Sequence, residues 1–398
     1  MRIAFLMEYP LDLAGGGQMS TQTLCGGLAE YKAPAGNPGS GEVFEPVVIC
    51  PKLLMKQASD YPFEVLEYED LENREDALIP RLRNFFSRMG SFRRLIHQAA
   101  PDLIHVSMSE SLLTYEFIRR DRALREIPFL YTDRGLCYGY RAHTKFFMKR
   151  ALGASAGMIC TTEFNKRLWE KEEPGLSITV IPNTISPVFA EYEEGKRESL
   201  REKYGLSGED FVIGFAGRIS EEKDWGFASE LVRALSEEGV RFKVALVISV
   251  YEKKDLAIVE DIRRRICTSI GEENLIYFQD LSQQEIADYY YLVDVFVMTS
   301  SFESFGKAAV EAMSRKCAVV STSVGGLTEV VGKEENLYTK DNIGRFTDRV
   351  KRLSEDKEEL RRDREFFYRR YLENYTLEKH IERHVVLYNN VLRKKEHK

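Results

Sequence analysis

The chain has 398 residues, 43% apolar and 30% charged, with 57 Lys and Arg against 63 Asp and Glu and a net charge of −6. That length suits two domains better than one core. The acidic balance excludes a nucleic-acid coat, whose domains are basic. Six scattered histidines and six cysteines, at 25, 50, 137, 160, 267 and 317, show no ligand spacing, which excludes a zinc framework and reads as buried free thiols.

The chain opens on MRIAFLMEYP, an apolar run broken by Glu8 and too short for a secretion signal. No later run approaches the roughly 18–20 apolar residues of a membrane span, so a cytoplasmic protein is expected. In chain order the strand candidates are RIAFLM, PVVIC, LIHVS, PFLYT, GMICT and ITVI, then FVIGFAG, KVALVIS, LIYF, DVFVM and AVVST. Amphipathic helical stretches separate them. Near-continuous Val/Ile runs alternating with helices mean parallel sheets covered on both faces. Two such series predict two doubly wound α/β domains. The stretch YKAPAGNPGSGEVFEPVV, 31–48, reads as a loop before the second strand. IPNTISPVF, 181–189, with two prolines and an Asn-Thr turn, is the expected boundary. The expected division is 1–185, 186–375 and a C-terminal helical segment, 376–398, that packs back on the first domain.

Ligands of parallel sheets bind at the carboxyl ends of strands. After the first strand come Gly15, Gly16 and Gly17, with a helix expected from about Ser20. Three glycines admit a close ligand or make a flexible turn. After FVIGFAG come Arg218 and Lys223, a guanidinium fork and a point charge suited to a diphosphate. The alternative is two solvated cations matched by Glu221 and Glu222. After DVFVM comes SFESFGKAAVEAM, 301–313. Its helix is predicted to start near Phe305 and Gly306, where free N–H groups attract anions. Glu303 stands just before that start and Glu311 two turns in, one turn beyond Lys307. A carboxylate matches a vicinal diol. The alternatives are a helix cap for Glu303 and an ion pair with Lys307 for Glu311.

GRISEEK, ESFGKAAVEAM and VGGLTEVV, in this order and spacing, with PDLIH at 101–105 and VIPN at 180–183, resemble the retaining glycosyltransferases of family 4. The resemblance spans nearly the whole chain and is densest from about 178 to 332. It implies the GT-B fold, two Rossmann-like domains facing across a cleft, with the acceptor in the first domain and a nucleotide-sugar donor in the second. It implies that Arg218 and Lys223 neutralise the donor diphosphate, that Glu303 takes sugar hydroxyls, and that Glu311 takes the ribose. The backbone of Ser304, Phe305, Gly306 and Lys307 would meet sugar and phosphate oxygens, and Gly16 and Gly17 would form a loop over the diphosphate. It further implies retention of anomeric configuration, with no metal and no cofactor. A UDP-sugar carrying a hexose or N-acetylhexosamine is the expected donor.

Two positions depart from the family pattern. Thr132-Asp133-Arg134-Gly135 has Arg134 where a His usually stands, so Arg134 is the expected fourth catalytic residue and Asp133 an acceptor contact. Thr184 replaces the usual glycine of the turn after VIPN. The acceptor is expected to be a saccharide, a lipid-linked sugar or a small molecule. Residues 77–101 hold five arginines and no acid, interleaved with aromatics, and Tyr140–Arg150 repeats that pattern. Residues 81–94 and 141–150 are therefore candidates for peripheral membrane contact or an anionic acceptor, against a plain amphipathic helix facing water. The sequence shows no cluster for an epimerase, and only Arg134 offers a phosphorylase anion site. The second functional reading is a non-catalytic nucleotide-sugar-binding subunit.

Overall fold

A computed structural model of the chain describes residues 1–13, 15–32, 43–69, 78–250 and 252–396, with side chains undescribed for 78–82 and 395–396. Most of the expected 31–48 loop, and Glu75 and Asp76 ahead of the 81–94 segment, lie outside these residues. The chain divides into two compact units: Met1–Asn183 with the C-terminal helix from Leu377, and Thr184–Thr376.

The first unit runs β1 (Arg2–Leu6), α1 (Gly16–Glu30), β2 (Glu45–Pro51), β3 (Glu64–Tyr68), α2 (Leu78–Ala99), β4 (Leu103–Val106), α3 (Ser109–Ile118), α4 (Arg122–Arg125), β5 (Phe129–Asp133), α5 (Ala142–Leu152), β6 (Gly157–Cys160), α6 (Glu163–Glu172) and β7 (Ile178–Val180). The second runs α7 (Lys196–Lys203), β8 (Val212–Arg218), α8 (Trp225–Glu237), β9 (Lys243–Ser249), α9 (Leu256–Ile270), β10 (Leu275–Gln279), α10 (Gln283–Tyr289), β11 (Val295–Met298), α11 (Lys307–Ser314), β12 (Ala318–Thr322), α12 (Leu327–Val331), β13 (Leu337–Tyr338), α13 (Ile343–Glu355) and α14 (Lys357–Asn374). Helix α15 (Leu377–Glu396) returns to the first unit.

Both sheets are parallel, ordered β3-β2-β1-β4-β5-β6-β7 and β10-β9-β8-β11-β12-β13. Apolar residues fill both strand faces because each face has its own core. On β1, Ala4 and Leu6 pack with Phe92 of α2 and Leu112 of α3, while Ile3 and Phe5 pack with Leu24 of α1 and Ile381 of α15. The close α1–α15 contact has a visible cause, since a Cβ on Gly27 would lie 2.7 Å from Ile381 Cδ1. This is the GT-B plan, two doubly wound sheets. Strand order reverses between β1 and β4 in one unit and between β8 and β11 in the other. Such switch points are where doubly wound sheets open a crevice at their carboxyl ends.

Candidate active site

In the second unit the switch point brings together the residues that follow β8 and β11. Arg218 ends β8 with an exposed side chain, and Trp225 Nε1 donates to its carbonyl at 2.9 Å. A turn of 3-10 helix, Glu221–Lys223, follows, then Asp224 at φ +45, whose side chain caps α8 by accepting from Phe227 N. The segment after β11 is stitched to that turn. Ser301 N donates to Glu222 O at 2.8 Å, and Thr299 Oγ1 donates to Lys223 O at 2.9 Å. Adjacent strands thus deliver both loops to one place, and Lys223 Nζ meets Glu303 Oε2 at 2.8 Å. Lys223 is therefore paired with Glu303 rather than with the neighbouring acids.

Helix α11 begins at Lys307 behind Gly306, within a residue of the expected start. Gly306 is required twice over: its φ is +94, and a Cβ there would lie 2.5 Å from Leu327 Cδ1. Phe305 is buried edge-on against Tyr375, so it offers a ligand only its backbone. Ser304 and Lys307 are partly exposed. Glu311 accepts from Tyr290 Oη at 3.0 Å. Burial raises its pKa, opposed by Lys307, by the Tyr290 hydrogen bond and by Lys223. Fully buried Tyr290 was missed from sequence, because a tyrosine in the run YYY reads as core. A carboxylate–cation pair, an exposed guanidinium and an open helix start beside a second carboxylate form a site for a polyhydroxylated, anionic ligand. Among the described residues no group of three or more His, Cys, Asp or Glu is placed to hold a metal ion.

The comparisons agree with this reading of the fold. Residues 196–370 match the family described as Glycosyl transferases group 1, and residues 40–189 match Glycosyltransferase Family 4. The chain belongs to glycosyltransferase family 4. It is 30% identical over 211 residues to a 2-deoxystreptamine glucosyltransferase of Streptomyces kanamyceticus, covering 52% of this chain and 53% of that one. The chain thus spans about half the length of the curated relatives it matches. Among solved structures, a sucrose-phosphate synthase from Thermosynechococcus elongatus aligns over 99% of this chain and 100% of that one, at TM-score 0.79 and 16% identity. HepE of Anabaena, in complex with UDP and glucose, aligns over 98% and 99%, at TM-score 0.75 and 15% identity.

The first unit of this family 4 chain corrects two expectations. Helix α1 starts at Gly16, not near Ser20, so Gly16 and Gly17 form its first turn and not a loop. Gly15 is extended and ends the loop, while Ser20 Oγ and Thr21 Oγ1 bond back to Gly16 O and Gly17 O and hold that turn. Asp133 is not free for an acceptor. It is buried and accepts from Tyr140 Oη, Gly135 N, Asn165 Nδ2 and Trp169 Nε1 at 2.5–3.1 Å. Thr184, the first residue of the second unit, is not at positive φ and so needs no glycine, and its hydroxyl donates to Tyr375 O at 2.8 Å.

Arg134 follows the end of β5 and lies near Tyr388 of α15 and Cys25 of α1, away from the α6 partners of Asp133. Its Nε and Nη1 are buried with no partner among the described residues. Burial lowers its pKa to about 10, against the pull of Tyr388, Tyr131, Cys25 and Asp133. The unit's switch point holds a residue that the sequence did not single out. Glu8, just past β1, accepts from Ser111 N and Oγ at 2.6 and 2.9 Å, at the start of α3 after β4. Burial raises its pKa to about 7, Glu110 adds to the rise, and Arg88 and Ser111 oppose it.

Proposed function

We propose that this protein is a retaining, metal-independent hexosyltransferase. It moves a hexose or N-acetylhexosamine from a nucleotide sugar, with UDP as the nucleotide, to a saccharide, lipid-linked or small-molecule acceptor. The observation that carries this reading is the Lys223–Glu303 pair standing before the open start of α11. Membership of family 4, and an Anabaena neighbour of the same fold that holds UDP and glucose, support it.

In this reading Arg218 and Lys223 neutralise the diphosphate, and the α11 N–H groups at Gly306 and Lys307 take its oxygens. Gly16, with no atom within 4 Å of a Cβ position, offers with Gly17 a second open helix start to a phosphate. Glu303 accepts from sugar hydroxyls, and Glu311, steadied by Tyr290, accepts from the ribose diol. The bond from the anomeric carbon to the diphosphate oxygen breaks with its electron pair leaving on the diphosphate. The acceptor oxygen bonds the same face of that carbon and passes its proton to the departing phosphate. Arg134 faces the reacting sugar or phosphate only if its side chain leaves the buried position it holds here.

The test offers UDP-, GDP- and ADP-sugars to the protein in EDTA, with and without lipid and small-sugar acceptors, and scores released nucleotide and the anomer formed. Release from one donor class, lost in Glu303→Ala and Lys223→Ala, supports the proposal. Tight UDP binding with no release from any donor overturns it in favour of a non-catalytic nucleotide-sugar-binding subunit.

A further inference from the structure

Four of the five exposed phenylalanines among the described residues lie on three helices of the first unit. Phe86 on α2 is 64% exposed, Phe117 on α3 37%, and Phe146 and Phe147 on α5 65% and 43%. Scattered exposed apolar side chains are ordinary, but a cluster is not. The α2 and α3 rings touch one another, as do Phe146 and Phe147 on α5. Phe85 packs edge-on against both Phe86 and Phe117, with centroids 5.9 and 5.3 Å apart. Arg150 Nε lies 3.8 Å from Glu116, the residue before Phe117, and so joins α5 to α3 one turn beyond Phe146. Tyr138, 54% exposed, precedes α5.

The charge around the rings is net positive. Residues 83–152 contain thirteen Lys and Arg against six Asp and Glu, an excess of seven cations in a chain whose net charge is −6. The acids that face these helices are already engaged. Glu110 pairs Arg88, Glu116 pairs Arg119 and Arg150, and Asp121 pairs Arg93 and His97. Glu172 of α6 pairs Lys145 and Lys149. Arg83, Arg94, Arg120 and Arg141 stay exposed, with Arg120 stacked over Phe117 at 5.7 Å. On α2 the exposed residues Arg83, Phe86, Gly90, Arg93, Arg94 and His97 recur at helical spacing, so arginines and an aromatic share one outward face.

We propose that this outer face of α2, α3 and α5 docks the protein on an anionic lipid bilayer. Phenylalanines flanked by arginines in a single layer match an interfacial surface, where rings enter the headgroup boundary and guanidinium groups meet lipid phosphates. A soluble polyanion would use the arginines and leave the rings without a partner. The proposal extends the two sequence segments to a third helix, and it does not rest on the transfer reaction.

The experiment sediments the full chain with vesicles of phosphatidylcholine alone and of phosphatidylcholine with phosphatidylglycerol, at low and high salt. Binding is expected only to the phosphatidylglycerol vesicles, with salt weakening it. The triple variant Phe86→Ser, Phe146→Ser, Phe147→Ser and the triple variant Arg83→Glu, Arg94→Glu, Arg141→Glu should each weaken binding about tenfold or more. All six side chains are exposed, so both variants should keep the parent's circular dichroism and melting temperature. Absence of vesicle binding, binding indifferent to phosphatidylglycerol, or full binding by the folded phenylalanine variant overturns the proposal. Binding to heparin without binding to vesicles also overturns it and identifies a polyanion site.

Discussion

Replacing Lys223 by methionine keeps the side-chain stem and removes its charge. Two separable losses follow. The first is structural. Glu303 loses a partner at 2.8 Å in a pair whose side chains are 21% and 18% exposed. Breaking a fully buried pair from one side costs about 3–5 kcal/mol, and a surface pair contributes less than about 1 kcal/mol. This pair lies between, at about 1–2 kcal/mol, or roughly 2–8 °C of melting temperature for a unit of this size. The second loss is chemical. If the ammonium faces the charge that builds on the departing diphosphate, its removal should cost about 3–4 kcal/mol in the transition state, or roughly 10²–10³-fold in kcat. The assays are initial-rate kinetics with the active donor, and a thermal melt of the same preparation. A kcat within about threefold of the parent, in a protein whose melting falls as expected, would refute the catalytic role and leave Lys223 as a structural partner of Glu303.

Tyr290→Phe removes the hydroxyl that holds Glu311; donor KM should rise about three- to tenfold at unchanged kcat, and unchanged donor KM in initial-rate kinetics would remove Tyr290 as a positioning residue. Gly306→Ala places a Cβ 2.5 Å from Leu327 Cδ1 at φ +94; about 2 kcal/mol or more of stability should be lost, read from urea unfolding. Glu8 has its pKa raised to about 7 by burial, so the native state binds its proton more tightly than the unfolded chain does. Its contribution is present at low pH and is lost as pH rises from about 4.5 to above 7, by at most about 3 kcal/mol, and Glu8→Gln should flatten the fall in melting temperature between pH 5 and pH 8. Arg134→Met removes buried N–H groups that have no partner; melting should hold or rise by the equivalent of about 1 kcal/mol, and a melting temperature lowered by several degrees would show that the guanidinium is satisfied in solution.

The alternation of strands and helices was legible because strands covered on both faces are written as unbroken apolar runs, as in KVALVIS. Strand β3, EVLEY, was not, because it lies at the sheet edge and two of its five residues are exposed glutamates. The start of α11 was legible because Gly306 is a helix boundary that only glycine satisfies. The start of α1 was not, since glycines in a first helical turn look the same as glycines in a loop. Asp133 and Arg134 show the sharper limit. Adjacent residues at a strand end turn to opposite faces. Which face meets a buried tryptophan, and which meets the C-terminal helix, depends on helices far away in sequence. Trp169 and Asn165 of α6 take Asp133, and Tyr388 of α15 lies by Arg134.

The eight-residue separation of Glu303 and Glu311 follows from where each carboxylate is anchored. Glu303 belongs to the segment stitched to the turn after β8, so its position is set by the adjacency of β8 and β11 and not by the helix behind it. Glu311 belongs to α11, where Lys307, Ala308 and Glu311 are the partly exposed stripe and Ala309, Val310, Ala312 and Met313 face the core. Four residues into the helix at a rise of about 1.5 Å put Glu311 roughly 6 Å beyond Lys307. One residue fewer would rotate the carboxylate by about 100°, off the stripe it shares with Lys307 and away from Tyr290. The spacing thus fixes a carboxylate on either side of an anion-attracting helix start, the order in which a sugar, a diphosphate and a ribose follow one another in the proposed donor.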